Sequence, residues 1–96
     1  ADASGRQKVV IVDGSEYLEE ADVVILALGF SPEVPTFLKE LNVETNSWGA
    51  VVVNSEFKTS NKKVYAGGDC QRGAHLAVTA AADGREAAKA IIKDLL

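Results

Sequence analysis

A carboxylate directly after two glycines closes a short apolar run in the stretch VYAGGDCQRGAH, Val64 to His75. At the carboxyl end of a strand this grouping suits ligand work, because ligands of open α/β sheets bind outside those ends. Glycines let the backbone come close to a ligand, and Asp69 can accept hydrogen bonds from hydroxyls. The segment after His75 reads as a helix, whose first N–H groups and dipole suit a carbonyl or an anion. A tight turn in which Asp69 helps cap the next segment is the simpler account of these three residues alone.

Other reactive side chains offer less. Cys70 has no C-x-x-C partner, and the nearby Arg72 gives only modest cause for a lowered thiol pKa, so packing is the expected role. His75 reads as a surface or capping residue. Arg72 reads as exposed or salt-bridged, and Trp48 as a turn anchor covering the core. The acidic run Glu16, Glu19, Glu20 and Asp22 lacks metal-ligand spacing and reads as a solvated edge. No nucleophile elbow accompanies the serines. No catalytic residue and no metal site is expected.

The surrounding elements are those of one small domain. The chain has 96 residues, 47% hydrophobic, with a formal charge of −4. That charge, without a basic cluster, argues against nucleic acid and anionic membranes as partners. One cysteine permits no internal disulfide and suggests a reducing compartment. The longest apolar run, Val23 to Leu28, is far short of the roughly 20 residues a spanning helix needs. A cytoplasmic protein is expected.

Residues 1–7 read as a polar loop and Lys8–Val12 as a strand. Asp13-Gly14 reads as a hairpin turn, and residues 15–21 as a returning strand. Asp22–Phe30 reads as a strand buried on both faces. Thr36–Leu41 reads as a short helix, and Ala50–Val53 and Val64–Asp69 as brief strands. From about His75 to Leu95 the pattern is helical. Leu76, Ala80, Gly84, Ala87, Ile91 and Leu95, spaced three or four apart, form one stripe. Arg85, Glu86, Lys89 and Lys93 take the opposite, solvated face. The fold class is therefore α/β, a partial Rossmann-like domain with a short antiparallel meander and a long C-terminal helix. Its strand and alanine-faced helix ask for neighbours beyond these residues, as an excised piece of a larger protein would.

The combination VVILALGF, then TSNKKVYAGGDCQRGAHLAVTAAADGREAA, resembles the carboxyl-terminal part of pyridine-nucleotide-dependent flavoproteins with two dinucleotide-binding domains. Within them it is most similar to the small subunit of NADPH-dependent glutamate synthase and its relatives. The loop DASGRQ and the turn-strand SWGAVVVN fit as well, and the resemblance covers nearly the whole chain.

The resemblance implies that residues 1–30 are the tail of an NAD(P)-binding domain and residues 31–96 the carboxyl-terminal part of an FAD-binding domain. It implies FAD and NADPH as cofactors of the parent protein, with Asp69 on the ribityl chain and Gly68 beside it. Leu76, Ala77 and Val78 would face the pyrimidine end of the isoalloxazine, and Gly29 would lie where the two domains rejoin. Electrons would pass from NADPH through FAD to iron–sulfur clusters elsewhere and on to a large subunit making glutamate, or a similar acceptor. The sequence holds no G-x-G-x-x-G, so the pyrophosphate cradles must lie elsewhere. Alone, such a piece is expected to be inactive. Two alternatives stand beside this reading. One is the electron-input module of a related flavoprotein, of the ferredoxin:NADP or dihydropyrimidine dehydrogenase type. The other is a stand-alone interaction domain that dimerises through the small-residue helix face.

Overall fold

A β-strand is only as good as its neighbour, because its N–H and C=O groups bond across to another strand. That requirement divides this chain. In the computed structural model, which describes residue 5 and residues 7–96, the segment before Pro32 runs extended and unpaired. Its large apolar side chains from Val9 to Phe30 are 66–101% exposed. The segment's reversal is local: Ser15 N–H and Oγ both donate to Val12 O, at 3.3 and 2.6 Å. The expected meander of residues 8–21 and the buried strand of residues 22–30 are therefore not formed among the described residues. The apolar pattern is that of strands, but no partner edge lies in reach among the described residues. The loop expected at residues 1–7 falls, apart from Gly5 and Gln7, outside the described residues.

The extended arm sets the dimensions. The radius of gyration is 18.8 Å, against about 12 Å for a compact chain of this length. The accessible surface is 8575 Å², where a folded protein of this mass exposes about 5,300 Å².

From Pro32 onward the chain packs. Helix α1 (Phe37–Glu40) ends in a Schellman arrangement, with Asn42 at φ +57° as the left-handed residue. Asn42 N–H bonds Lys39 O and Val43 N–H bonds Leu38 O, both at 3.0 Å. Val43, the residue after the left-handed one, is buried.

Three asparagines then turn the chain by the same device. Asn46 Oδ1 accepts from Trp48 N–H, Asn54 Oδ1 from Glu56 N–H, and Asn61 Oδ1 from Lys63 N–H, at 2.9–3.0 Å. Each side chain closes a turn two residues on, which is why asparagine punctuates loops. Between these turns the chain pairs antiparallel at single points, Thr45 with Val51 and Lys58 with Tyr65. Trp48 is 78% exposed and does not cover the core; the turn is held by Asn46 rather than by an aromatic anchor.

Helix α2 (Asp69–Arg72) follows, then Gly73 at φ +88°, then α3 (Ala77–Leu95). Only the last matches the expected long helix; α2 is a single turn the pattern did not reveal. α3 buries Asp83 and Ala87 and half-buries Ala80, Ala90 and Ile91. Gly84, placed in the stripe by spacing, is exposed with no heavy atom within 4 Å of a Cβ there. Ala80, Ala87 and Ile91 of the expected stripe do face inward, Asp83 and Ala90 join them where Gly84 does not, and Leu76 and Leu95 at its ends are exposed.

The far end of α3 is anchored by charge. Asp94 accepts from Tyr65 Oη and pairs with Lys58 Nζ at 2.6 Å, while Lys93 Nζ reaches Glu56 Oε1 at 2.9 Å. Lys93 thus belongs to the docking surface rather than to a purely solvated face.

Amide hydrogen exchange on this chain should show residues 8–30 exchanging at free-peptide rates. The amides of Val51, Thr59, Val64 and Ala66 should be protected. Protection within Val23–Leu28 would instead mean that the arm has found a partner strand in a second copy.

Candidate functional site

The candidate site is the junction of Gly67-Gly68, α2 and the first turns of α3. Gly68 sits at φ +83° and is buried. A Cβ on Gly67 would come within 3.0 Å of Asp83 Cβ and 3.3 Å of its backbone carbon. A Cβ on Gly68 would come 3.5 Å from Ala80 Cβ. Gly67 is therefore required by the close approach of α3 and Gly68 by its positive φ, packing and turn roles at the point where sequence reasoning looked for ligand access.

Gly68 also has its backbone groups in use. Its N–H donates to Asp83 Oδ2 at 3.0 Å, and its carbonyl accepts from Gln71 and Arg72 N–H at 3.0 Å. Asp69 opens α2 without capping it. Its carboxylate is exposed and meets no hydrogen-bond donor among the described residues. The capping role weighed for Asp69 is not adopted, and the carboxylate is free to accept.

α3 begins at a poor cap. Leu76, extended at ψ 145°, offers no side-chain acceptor, and leucine ranks low at this position for that reason. Its carbonyl takes the Thr79 and Ala80 N–H groups, each at 3.1 Å. The Ala77 and Val78 N–H groups have no acceptor among the described residues, and both residues are exposed. Two orphan donors with the positive end of a 19-residue helix behind them favour a carbonyl or anionic acceptor.

His75 stands beside this end, exposed. Thr79 Oγ1 donates to Leu76 O at 2.7 Å, so its oxygen receives the Nδ1–H of His75 at 2.6 Å. The imidazole is held as a surface residue on the first turn.

Asp83, which sequence reasoning passed over, is the one buried carboxylate among the described residues, 4% exposed. It takes the guanidinium of Arg72 in a fork, Nε to Oδ2 at 2.7 Å and Nη2 to Oδ1 at 2.5 Å. Arg72 is thus the structural salt bridge weighed for it. The guanidinium, then the Gly68 N–H, hold the Asp83 carboxyl below the usual carboxylate range, against the opposing effect of burial. The readable signal was a carboxylate at spacing three and four from Ala80 and Ala87, after an arginine that ends the preceding turn.

The remaining candidates lie apart or at the margin. Gly29, at φ +104°, is in the extended arm with nothing within 4 Å of its Cβ position. Cys70 is exposed rather than packed, with Sγ 3.5 Å from Gly67 O. It edges an open apolar groove of about 310 Å³ lined by Val34, Leu38, Val43, Val64 and Gly67. Cys70 O also accepts Val51 N–H at 2.8 Å, tying α2 to the buried Ala50-Val51 piece.

Among the described residues no helix is long and apolar enough to cross a membrane. The family model for pyridine nucleotide-disulphide oxidoreductases matches residues 1–84. Over 95 residues the chain is 45% identical to the putative oxidoreductase AegA of Escherichia coli (strain K12). It is equally identical, over the same number of residues, to the glutamate synthase (NADPH) small chain of that organism. These matches cover 95% of this chain and 14% and 20% of the relatives. The glutamate synthase (NADPH) small chain of Azospirillum brasilense is 45% identical over 93 residues, 95% of this chain and 19% of that protein. The chain spans about a fifth or less of the length of these relatives.

Two outcomes follow from this geometry. Gly67→Ala should destabilise the protein by about 1–3 kcal/mol in urea melts, since α3 must move to admit the methyl. The lowered pKa values of Asp83 and Asp94 stabilise the fold in full above the ordinary carboxylate range. That stabilisation disappears as pH falls below about 4 and through their folded values. Melts across pH should show this acid limb, flattened in Asp83→Asn.

Proposed function

The chain belongs to the pyridine nucleotide-disulphide oxidoreductase family, and on that premise we propose that it is the carboxyl-terminal, flavin-contacting part of an NADPH-dependent flavoprotein oxidoreductase. The family implies a Rossmann-like FAD/NAD(P)-binding fold. The observation that carries the finer reading is the pair of orphan N–H groups on Ala77 and Val78, at the same end of α3 as the free carboxylate of Asp69. Gly68, the residue before Asp69, packs against Ala80 in the first turn of α3, so acceptor and donors share one end of the fold.

These residues fit FAD by the chemistry of what they offer. Asp69 accepts from ribityl hydroxyls. Ala77 and Val78 N–H, with Leu76 leaving them uncapped, donate to the carbonyl edge of the isoalloxazine. The dipole of α3 opposes loss of electron density there and so favours the reduced, more negative form. Gly68 shapes the turn and Gly29 lies where the chain passes between domains. FAD, when bound, supplies the acceptor for a hydride from NADPH, and iron–sulfur clusters outside this chain would carry the electrons on to a glutamate-forming large subunit or a similar acceptor. Both phosphate cradles lie outside this chain, so the segment alone is inactive. Its own role is to position and tune; it moves no proton and forms no bond.

The change at Pro32 supports the division into residues 1–30, the tail of the NAD(P)-binding domain, and residues 31–96, the end of the FAD-binding domain. Before it every described residue is exposed, and at Pro32 the carbonyl comes 3.4 Å from a Cβ placed on Gly49. The exposed arm would find its strand partners in the rest of its own domain, in a cytoplasmic protein. Equal identity to AegA and to the glutamate synthase small chain favours one second reading, the same flavin segment serving a different electron acceptor.

Asp69→Ala in a full-length protein carrying this segment should weaken FAD binding about tenfold or more, the scale of hydrogen bonds to a charged group. Equilibrium dialysis against the apoprotein measures it. Unchanged affinity removes Asp69 from the site.

A further inference from the structure

We propose that Asp83 is the positioning residue of this site, holding the Asp69 turn in register with the first turn of α3; the inference rests on the flavin reading above. The need for such a residue comes from α2. Four residues make one helical turn, and a lone turn does not sustain itself. Nor do the connections on either side hold it: Gly68 precedes it at φ +83° and Gly73 follows at φ +88°, conformations that other residues rarely take and glycine takes freely. The Val51 N–H bond to Cys70 O ties it to the Ala50-Val51 piece but not to α3. Asp69, the proposed ribityl acceptor, is carried on the first position of this turn.

One carboxylate grips both ends of α2. Asp83 Oδ2 accepts the Gly68 N–H at 3.0 Å, ahead of the turn, and the two oxygens take Arg72 Nε and Nη2, at its last position. Asp83 itself sits in the second turn of α3, one turn below the orphan N–H groups of Ala77 and Val78. Its placement is tight, because a methyl on Gly67 would collide with it. The acceptor and the donors proposed for the flavin therefore belong to different elements, and Asp83 joins them. An apolar pair of equal volume would pack as well but would not set the angle of α2 to α3. A bidentate guanidinium–carboxylate contact has a defined plane and direction.

The test uses a full-length protein carrying this segment, with FAD as the probe. Asp83→Asn keeps the volume and an acceptor for Gly68 but loses the fork to Arg72. It should raise the FAD dissociation constant about tenfold and shift the visible spectrum of the bound flavin. Arg72→Gln should do the same, and the double variant should lose little more than either single one, as members of one unit do. Asp94→Asn is the control for helix docking in general: it breaks the contacts with Lys58 and Tyr65 at the opposite end of α3. It should lower the melting temperature and leave FAD affinity within about twofold. If the unaltered protein takes up no FAD, the flavin reading falls and this inference with it. If it binds FAD and Asp83→Asn matches it in affinity and spectrum, the positioning role alone is overturned. Equal losses in Asp94→Asn and Asp83→Asn overturn it too, by reducing Asp83 to ordinary helix packing.

Discussion

The packed part of this chain turns on one buried carboxylate. Asp83 lies on the inner face of α3 and is satisfied by Arg72 of α2 and by the N–H of Gly68 just before it. A charge so placed is tolerated because it is paired and hydrogen-bonded on both oxygens. The contact in turn dictates the residues around it. Gly67 must lack a side chain where α3 passes, and Gly68 must take a left-handed conformation to aim its N–H at the carboxylate. Asp69 is left facing outward. The glycine pair and the aspartate, adjacent in sequence, thus differ: Gly67 admits the helix, Gly68 makes the turn, and the aspartate is left without a partner among the described residues.

A second constraint governs the arm before Pro32. Backbone groups of a strand must be paired, and residues 7–31 contain strand patterns without a strand to pair with among the described residues. The result is an exposed apolar arm and an accessible surface well above that of a compact domain. The body from Pro32 onward escapes this by using side chains for what sheets do elsewhere. Asn46, Asn54 and Asn61 close its turns, and Asn61 Nδ2 and Ser60 Oγ tie the third turn to the carbonyls of Leu41 and Asn42. Its core is correspondingly small, with Val43, Ala50, Val51 and Ala87 its buried apolar residues among those described.

What the sequence made legible follows the same line. Local chemistry was readable: α1, α3 and the turn at Trp48-Gly49 come from periodicity and turn residues acting over a few positions. The exposed arm was legible only as strands, because a pattern of apolar residues says what a segment wants and not whether a partner is present. The inward face of α3 was read correctly at Ala80, Ala87 and Ile91 and misread at Gly84, since Gly84 fits a small-residue stripe and Asp83 looks like a residue for water. Charge on a helix is assigned to solvent unless its partner is known, and Arg72 lies eleven residues away on a turn too short to show periodicity. Trp48 misled in the opposite sense, as size suggested burial where an asparagine does the holding. The proposed flavin site came from resemblance alone, and the groups it names, Asp69 and the start of α3, are left without partners among the described residues.

At the start of α3 the Ala77 and Val78 donors stay open among the described residues, while the Gly68 backbone groups are fully used within the protein. Selective 15N labelling of alanine, valine and glycine in a full-length apoprotein carrying this segment, followed by FAD addition, reads this directly. The amide resonances of Ala77 and Val78 should move and become protected as FAD binds, while the Gly68 amide, already bonded to Asp83, should hold its position. FAD binding that leaves Ala77 and Val78 unmoved would show that these donors do not meet the flavin.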